Sequence, residues 1–481
     1  VRQALDQLTL AEDGVDGSKI YIYGEGWDFG EVAGGARGTN ATQLNMAGTG
    51  IGTFNDRIRD GIRGGGPFSG LQEQGFVTGL WYDPNGTDQG TPSEQEALLK
   101  AEADWIRCGL AGNLADYPLT DSSGNEVTAS QVDYKGAPAG YTQDPQEDIN
   151  YAAAHDNETL FDAIQLKLPR GASMADRVRV QNLALSLVGL GQGIPFFHAG
   201  MDMLRSKSMD RDSYNSGDWF NRLDFSYQTN TWGVGLPVAS KNESSWPLMQ
   251  PLLADETLRP GSENILSSVH HLQEILRIRS STRLLRMRTK EDVINRLEML
   301  NTGPDQIPGL IAMRISDPAG AVDRRTSMVV VLFNATVDQL AFQVPDLVGR
   351  SLALHPVLVS SADPIVATSA FDSSTGTFTV PARTTAVFIT ARTIEEQTLL
   401  LSADITALIA TGHISPVAGS VLLKTIRGVI ILLRAGRPDL AAGALGVFTH
   451  LVQTLVDVDL LSQADGTVLI AHAGDIIQQL V

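Results

Sequence analysis

Over residues 1–290, short apolar runs alternate with longer segments in which apolar positions recur every three or four residues. Runs of four to six residues bounded by Gly, Asp or Asn read as buried strands, and the longer segments read as helices packed on them. The strands predicted this way are Lys19–Tyr23, Ile51–Asn55, Ile149–Ala153 and Ile194–His198. Predicted helices include Val1–Leu10, Ser93–Leu110, Met174–Gly189 and Glu263–Ile278. Strand, loop and helix in repetition predict a parallel α/β architecture, with long Gly-, Asp- and Trp-rich connections after the strands that suit a binding face. Four repeats are half of an eight-stranded barrel.

From about Arg288 the period changes. Met328–Phe333, Thr377–Val380 and Thr385–Ile389 are runs rich in β-branched residues, with alternation, separated by Gly, Pro and Asp clusters. This predicts an antiparallel β-sandwich over 291–392. The last segment, 393–481, returns to a helical period, with Leu422, Ile426, Val429 and Leu433 on one face and Leu445, Phe448, Val452 and Leu455 on another. Ser415-Pro416 and Ser462 read as helix starts, Gly412 and Gly436 as helix ends. A bundle of about four helices is the economical way to bury such stripes.

Composition narrows the partners. The 481 residues carry a formal charge of −19, with 43% hydrophobic residues and a mean hydropathy of −0.03. That size supports several cores, and the charge disfavours nucleic acid and acidic membrane surfaces while allowing a neutral polysaccharide. No uninterrupted apolar run reaches the roughly 18 residues of a spanning helix, so no membrane span is expected. The single cysteine, Cys108, makes no internal disulfide and reads as a small apolar side chain on a helix. The chain opens on Val, without a signal-peptide pattern; a fragment of a longer protein is the expectation.

The chemistry concentrates at the predicted strand ends. Glu25 follows Tyr21-Ile22-Tyr23-Gly24 and precedes Gly26-Trp27-Asp28. Flanking glycines allow a ligand close to the backbone, and Trp27 is expected to desolvate the carboxyl and offer a flat face to a sugar ring. A glutamate at a strand end can equally be an ion-pair partner. His155-Asp156-Asn157 closes the run Ile149–Ala153; its carboxylate and imidazole could bind sugar hydroxyls, or the segment could be an Asx turn. Asp212 and Tyr214 lie on the loop after Ile194–His198, where Asp218, Asn221 and His198 are expected to brace the chain. Arg57, Arg59, Asp60 and Arg63 read as a salt-linked helix start. Gly64-Gly65-Gly66 lacks the context of a phosphate loop, and no His or Cys spacing supports zinc.

The runs Tyr21–Asp28, His155-Asp156-Asn157 and Asp212–Asn221 together resemble the pullulanase-type α-1,6-glucosidases of the α-amylase clan, glycoside hydrolase family thirteen. Asn301–Leu310 resembles their C-terminal β-domain, so the resemblance covers residues 1 to about 391. It implies a retaining starch-debranching hydrolase acting on pullulan, starch or glycogen-type glucans. In that scheme Glu25 is the general acid/base, Asp156 the transition-state-stabilising carboxylate, and Trp27, His155, Asn157, Asp212 and Tyr214 bind substrate. Such enzymes need a nucleophilic Asp on a Gly-Phe-Arg-Phe-Asp-like strand, and nothing before Glu25 matches it; Arg222-Leu223-Asp224 copies the spacing at the wrong place. The nucleophile is therefore expected upstream, and this chain alone is expected to be inactive. No cofactor is required, metal ligands are not expected, and a structural calcium is left open. The last segment resembles the helical module called FIMAH; it reads as a stability or spacing module without a ligand, with attachment or protein contact as the alternative. A secreted location is expected. The alternative is a non-catalytic α-glucan-binding or scaffold protein derived from such an enzyme. Isoamylase or branching enzyme fits the Gly24–Asp28 run less well.

Overall fold

The computed structural model describes residues 1–481. They divide into two compact units, one formed by Val1–Ile315 with Val330–Phe388, the other by Ser316–Val329 with Ile389–Val481.

In the first unit, β1 (Tyr23–Gly24), β2 (Gly52–Asn55), β3 (Asp148–Asn150) and β4 (Ile194–Pro195) form a four-stranded sheet in that order. All three pairings are parallel. The strands are shorter than their apolar runs. Tyr23 and Gly24 alone meet Gly52 and Thr53, and Lys19, predicted as strand, closes a 3-10 turn over Gly17–Lys19. The last strand spans only Ile194–Pro195, and the N–H of Phe196 just beyond it still donates to the carbonyl of Asn150 at 2.8 Å. One face of the sheet carries an aromatic row: Phe54 contacts Tyr23, Tyr151 and Phe196 at centroid distances of 6.0, 5.1 and 4.9 Å.

Helices α1 (Asp56–Arg63), α2 (Pro92–Leu110), α3 (Leu160–Lys167), α4 (Met174–Leu190) and α5 (Ser262–Ser281) follow. Asn55 caps α1, accepting from the N–H groups of Arg57 and Ile58. Thr91 and Glu94 form a capping box on α2, and Thr159 and Ser173 cap α3 and α4. Helix α1 packs on α2 and α4 on α5, burying Ile58, Ile62, Leu110, Leu183 and Val188. Cys108 is fully buried on α2, where desolvation pushes its thiol pKa upward.

The expected single helix over Val1–Leu10 is instead two short helices, Arg2–Leu5 and Leu10–Asp13. The first ends at Leu5 with Asp6 as its C-cap, and Thr9 caps the second, accepting from the N–H of Glu12 at 3.2 Å. Arg2 meanwhile donates to the carbonyls of Ile20 and Gly17, holding the first turn on the following loop.

Strands β5 (Leu297–Met299), β6 (Leu310–Ser316), β7 (Thr326–Asn334), β8 (Leu340–Gln343), β9 (Ala353–Leu354), β10 (Ala370–Asp372), β11 (Thr377–Val380) and β12 (Thr384–Ala391) make two further sheets. One runs β9-β12-β7-β6-β5, the other β8-β11-β10. The pairs β5/β6, β8/β11 and β10/β11 are antiparallel.

The second unit contains α6 (Ile394–Ala410), α7 (Pro416–Arg434), α8 (Pro438–Asp457) and α9 (Gln463–Leu480). Each helix packs on the next, and the first on the last. Leu422, Ile426, Val429, Leu445, Phe448 and Val452 are all fully buried in their common core. The segment Ser316–Val329 belongs to this unit, and Arg324 reaches Asp404 on α6 at 2.8 Å. Helices α7 and α8 are long and apolar enough to cross a membrane, with mean hydropathies of 1.7 and 1.3. Length and composition alone set this property, and both helices pack their apolar stripes into the four-helix core, with Lys424 and Arg427 interrupting the apolar run of α7.

Candidate active site

The two strand ends singled out from the sequence meet in space. One ligand atom each from Glu25, His155 and Asp156 lies within 4.8 Å of the others, and all three side chains are exposed. His155 Nε2 stands 3.4 Å from Asp156 Oδ1. Parallel pairing places the C-terminal ends of β1 and β3 on the same edge of the sheet, with β2 between them, which accounts for the convergence.

Backbone constraints fix the Glu25 side. Gly26 has φ +74°, and a Cβ there would come within 2.9 Å of Thr53 Cγ2, so only glycine lets the turn sit on β2. The carbonyl of Gly26 accepts from the N–H of Gln43 at 3.0 Å, and the Gln43 amide donates to Phe54 O at 2.7 Å and Asp56 at 3.0 Å. Trp27 is half-buried and Glu25 exposed. The expected desolvation of Glu25 by Trp27 is therefore not realised in this structure: the carboxyl stands in solvent.

The His155 loop is held by residues the sequence did not flag. Buried Lys207 donates from Nζ to the carbonyl of His155 at 2.9 Å. Asn157 takes φ +61°, turning the chain back toward Glu158. The Glu158 carboxylate, almost fully buried, is met by Arg63 at 3.4 Å and by Arg211 at 2.6 Å. Desolvation raises its pKa, but the two guanidiniums outweigh that and hold it below the ordinary range. Arg211 also donates to Asn157 Oδ1 at 3.4 Å and to the carbonyl of Pro67 at 2.8 Å. It thereby ties the loop after β4 to the loop after β3. These contacts join residues far apart in sequence, and no local spacing marks them.

Asp212 is paired with Lys241 at 3.0 Å, and its N–H donates to Asp210 at 2.9 Å. Tyr214 is 79% exposed. These two share a loop with Arg211. Asn221 braces that loop as expected, exchanging hydrogen bonds with Ser213 at 2.9 and 2.8 Å. His198 bonds Arg205 at 3.0 Å, and Arg205 reaches the carbonyl of Asn221. Burial, then the charges of Arg205 and Lys207, push His198 down to about 4. Asp218 opens the short helix Asp218–Asn221 and is exposed.

The Arg57–Arg63 cluster is a salt-linked helix start, as expected, and it is buried. Arg59 pairs with Asp60 at 2.6 Å and donates to Tyr151 at 2.6 Å, and Asp60 also takes Lys135 at 2.8 Å and Tyr134 at 2.7 Å.

Two carboxylates and an imidazole this close can exchange protons with a ligand, hydrogen-bond hydroxyls, or hold a cation. The last possibility was not visible in sequence, because Glu25 and His155 come from different strand ends.

Residues 227–391 match the family described as alpha-1,6-glucosidases, pullulanase-type, C-terminal. Residues 227–391 thus carry the pullulanase-type C-terminal domain, and the chain as a whole matches the C-terminal part of pullulanases. A relative named chloroplastic pullulanase 1, from Arabidopsis thaliana, is 51% identical over 398 residues, covering 81% of this chain and 41% of its own. The pullulanase of Klebsiella pneumoniae is 39% identical over 375 residues, covering 76% and 34%. A crystal structure of Klebsiella pneumoniae pullulanase complexed with maltotriose superposes with TM-score 0.73 at 39% identity, covering 78% of this chain and 35% of that one. The chain thus spans well under half the length of these relatives.

Proposed function

We propose that these residues are the C-terminal portion of a starch-debranching enzyme that hydrolyses α-1,6-glucosidic links by a retaining mechanism. The observation that carries the proposal is the meeting of Glu25, His155 and Asp156 at one edge of a parallel sheet, in a chain 51% identical to a pullulanase over most of its length. The four parallel strands are then the second half of a (β/α)8 barrel over 1–290, followed by a β-sandwich over 291–392 and a helical module over 393–481.

In this reading Glu25 protonates the glycosidic oxygen and later takes a proton from water. Asp156, with His155, binds hydroxyls of the ring at the cleavage point, bonds that tighten as positive charge develops at the anomeric carbon. Trp27 is the apolar platform beside them, Asn157 shapes the turn, and Asp212 and Tyr214 reach the glucose chain from the loop after β4. The exposure of Glu25 fits a cleft that is closed by structure outside these residues. The covalent step needs a carboxylate in line with the anomeric carbon, supplied by an aspartate outside the 481 residues. No cofactor takes part in the scheme; a structural calcium remains open. The substrate is a neutral α-glucan, as maltotriose is in the Klebsiella complex. The helical module serves attachment or protein contact. We retain a secreted location as the proposal, with the chloroplastic name of the Arabidopsis relative as the competing one; a precursor's cleavage site, read by N-terminal sequencing of the native protein, separates them.

A second reading is favoured by one distance. Retaining glycosidases place their two carboxyls about 5–5.5 Å apart, and donor atoms of Glu25 and Asp156 lie within 4.8 Å. Asp156 could then be the nucleophile and the pair complete. The 481-residue protein assayed on pullulan decides: the first reading predicts no reducing ends, the second predicts maltotriose. A non-catalytic glucan binder would give no activity even after fusion to the N-terminal part of a homologous pullulanase, whereas the first reading predicts that such a fusion is active.

A further inference from the structure

A second depression lies on the loops that follow β4. It has a volume of about 220 Å³, and Trp219, Arg222, Gln228, Trp232 and Arg259 line it, with no carboxylate among its lining residues. Glu25, His155 and Asp156 take no part in it.

The pieces are arranged for a neutral, hydroxyl-rich ring. Trp219 is 64% exposed, yet its indole N–H is anchored to the carbonyl of Val234 at 2.8 Å. One edge is fixed and the ring remains available for stacking, the usual way a flat aromatic meets the apolar face of a sugar. Trp232, by contrast, is buried and stands edge-on to Phe161 at 5.7 Å. Its own indole N–H has no hydrogen-bond partner, which is costly unless a ligand or water meets it.

The donors beside them differ in availability. Arg222 is largely exposed, and its nearest carboxylate, Asp224, is 3.9 Å away. That carboxylate is already engaged by the hydroxyls of Ser226 at 2.6 Å and Thr229 at 2.8 Å, so the guanidinium has donors to spare. Arg259 is held by Glu256 at 3.0 Å and donates to the carbonyl of Trp232 at 3.0 Å; it forms wall rather than ligand contact. Gln228 uses its amide N–H on Ser226 O at 3.3 Å, leaving its carbonyl oxygen for a hydroxyl. With Arg259 paired to Glu256 and Arg222 facing Asp224, the charges beside the pocket are balanced, which suits hydroxyls better than a multiply charged anion. The volume is below the roughly 300–1,000 Å³ of sites for drug-sized molecules, and so fits a single sugar ring.

We propose that this pocket is a second α-glucan-binding site, one glucosyl unit stacking on Trp219 while its hydroxyls bond Arg222 and Gln228. The proposal rests on the α-glucan reading above and adds a site apart from the candidate catalytic cluster. It would keep the polymer on the protein while successive links enter the cleft.

Affinity electrophoresis in pullulan gels, with calorimetric titration of maltoheptaose, tests it on the 481-residue protein. The background is Trp27→Ala/Asp156→Asn, which weakens the candidate cleft. In that background we expect residual glucan binding, weakened about tenfold by Trp219→Ala, the scale of one good ring contact with its buried area. Arg222→Gln, which leaves the Trp219 anchor intact, should weaken it severalfold, and Trp219→Phe should retain most of it. Unchanged thermal melts establish that the variants fold; should Trp219→Ala fail to fold, Arg222→Gln carries the test. Equal affinity of Trp219→Ala, or of Arg222→Gln where that variant carries the test, and its background overturns the second site while leaving the cleft reading intact. So does loss of all binding in the background itself. Displacement of maltoheptaose by millimolar inorganic phosphate assigns the pocket to anions and overturns it. If the wild-type protein binds no α-glucan, the reading beneath the proposal falls, and the proposal with it.

Discussion

Replacing Arg211 by Met should loosen the His155 loop by an amount that depends on pH. In the wild-type protein Arg211 meets the Glu158 carboxylate at 2.6 Å and donates to the carbonyl of Pro67 and to Asn157. Glu158 is almost fully buried, with Arg63 at 3.4 Å as its other cation. Breaking a buried pair outright costs about 3–5 kcal/mol; because Arg63 remains, we expect about 2–3 kcal/mol at pH 7. The sign with pH follows from Glu158. Its pKa is depressed in the folded protein, so its contribution is present above the unfolded value and is lost as pH falls through the folded one. Without Arg211, burial dominates and raises that pKa, so the carboxyl protonates more readily and the variant's deficit shrinks near pH 4–5. Hydrogen exchange followed by mass spectrometry over residues 150–165, at pH 7 and at pH 4.5, reads the local opening free energy. Glu158→Gln in the Arg211→Met background should recover about 1–2 kcal/mol relative to additivity. A deficit below about 0.5 kcal/mol, or one equal at both pH values, would refute the argument that a buried charge pair holds this loop.

Other outcomes follow from the same contacts. His198 is pushed down to about 4 by burial, so its contribution is present above the unfolded value near 6.5 and is lost as pH falls from there toward 4. Exchange in the 196–222 segment should therefore rise over that window, by about 1–2 kcal/mol after discounting its partial exposure, and His198→Gln should flatten the dependence. Gly26→Ala forces a Cβ at φ +74° to within 2.9 Å of Thr53; thermal unfolding should show a loss of at least about 1–2 kcal/mol, and glucan binding at the Glu25 cluster should fall with it. Phe448→Ala empties a fully buried position of the helical unit and should cost about 3–5 kcal/mol in that unit's unfolding transition, whereas Val447→Ala, more than half exposed, should stay within about 0.5 kcal/mol.

Much of this architecture could be read from the period of the apolar residues. The 3.6-residue stripes through Leu422–Val429 and Leu445–Val452 correspond to buried positions of α7 and α8. The alternation in Thr377–Val380 coincides with β11. Two-residue strands such as Ala353–Leu354 leave no periodic trace, because pairing with a neighbour defines them, not their own side chains. Val1–Leu10 had helical composition, but the chain leaves the helix after Leu5 and Thr9 caps a new one, a competition that propensity alone does not resolve. At the site, the strand-end residues Glu25, His155 and Asp156 were found from sequence because glycines, an aromatic and a resemblance marked them. Lys207, Arg211 and Glu158, which hold the loop, carry no local mark: their role exists only once β3 and the loops after it are brought together. The exposure of Glu25 likewise could not be read from the neighbouring Trp27, since adjacency in a loop does not determine which way a ring packs.

The central claim is that Glu25 and Asp156 are the acid/base and stabilising carboxylates of a debranching site whose nucleophile lies outside these residues. Maltotriose release from pullulan, followed by chromatography, tests it on three proteins: the 481-residue chain, its fusion to the N-terminal part of a homologous pullulanase, and that fusion carrying Glu25→Gln. The account predicts no product from the first, product from the second, and a fall of several orders of magnitude in the third with glucan binding retained. Maltotriose released by the 481-residue chain alone, or near-normal turnover in the Glu25→Gln fusion, would contradict it.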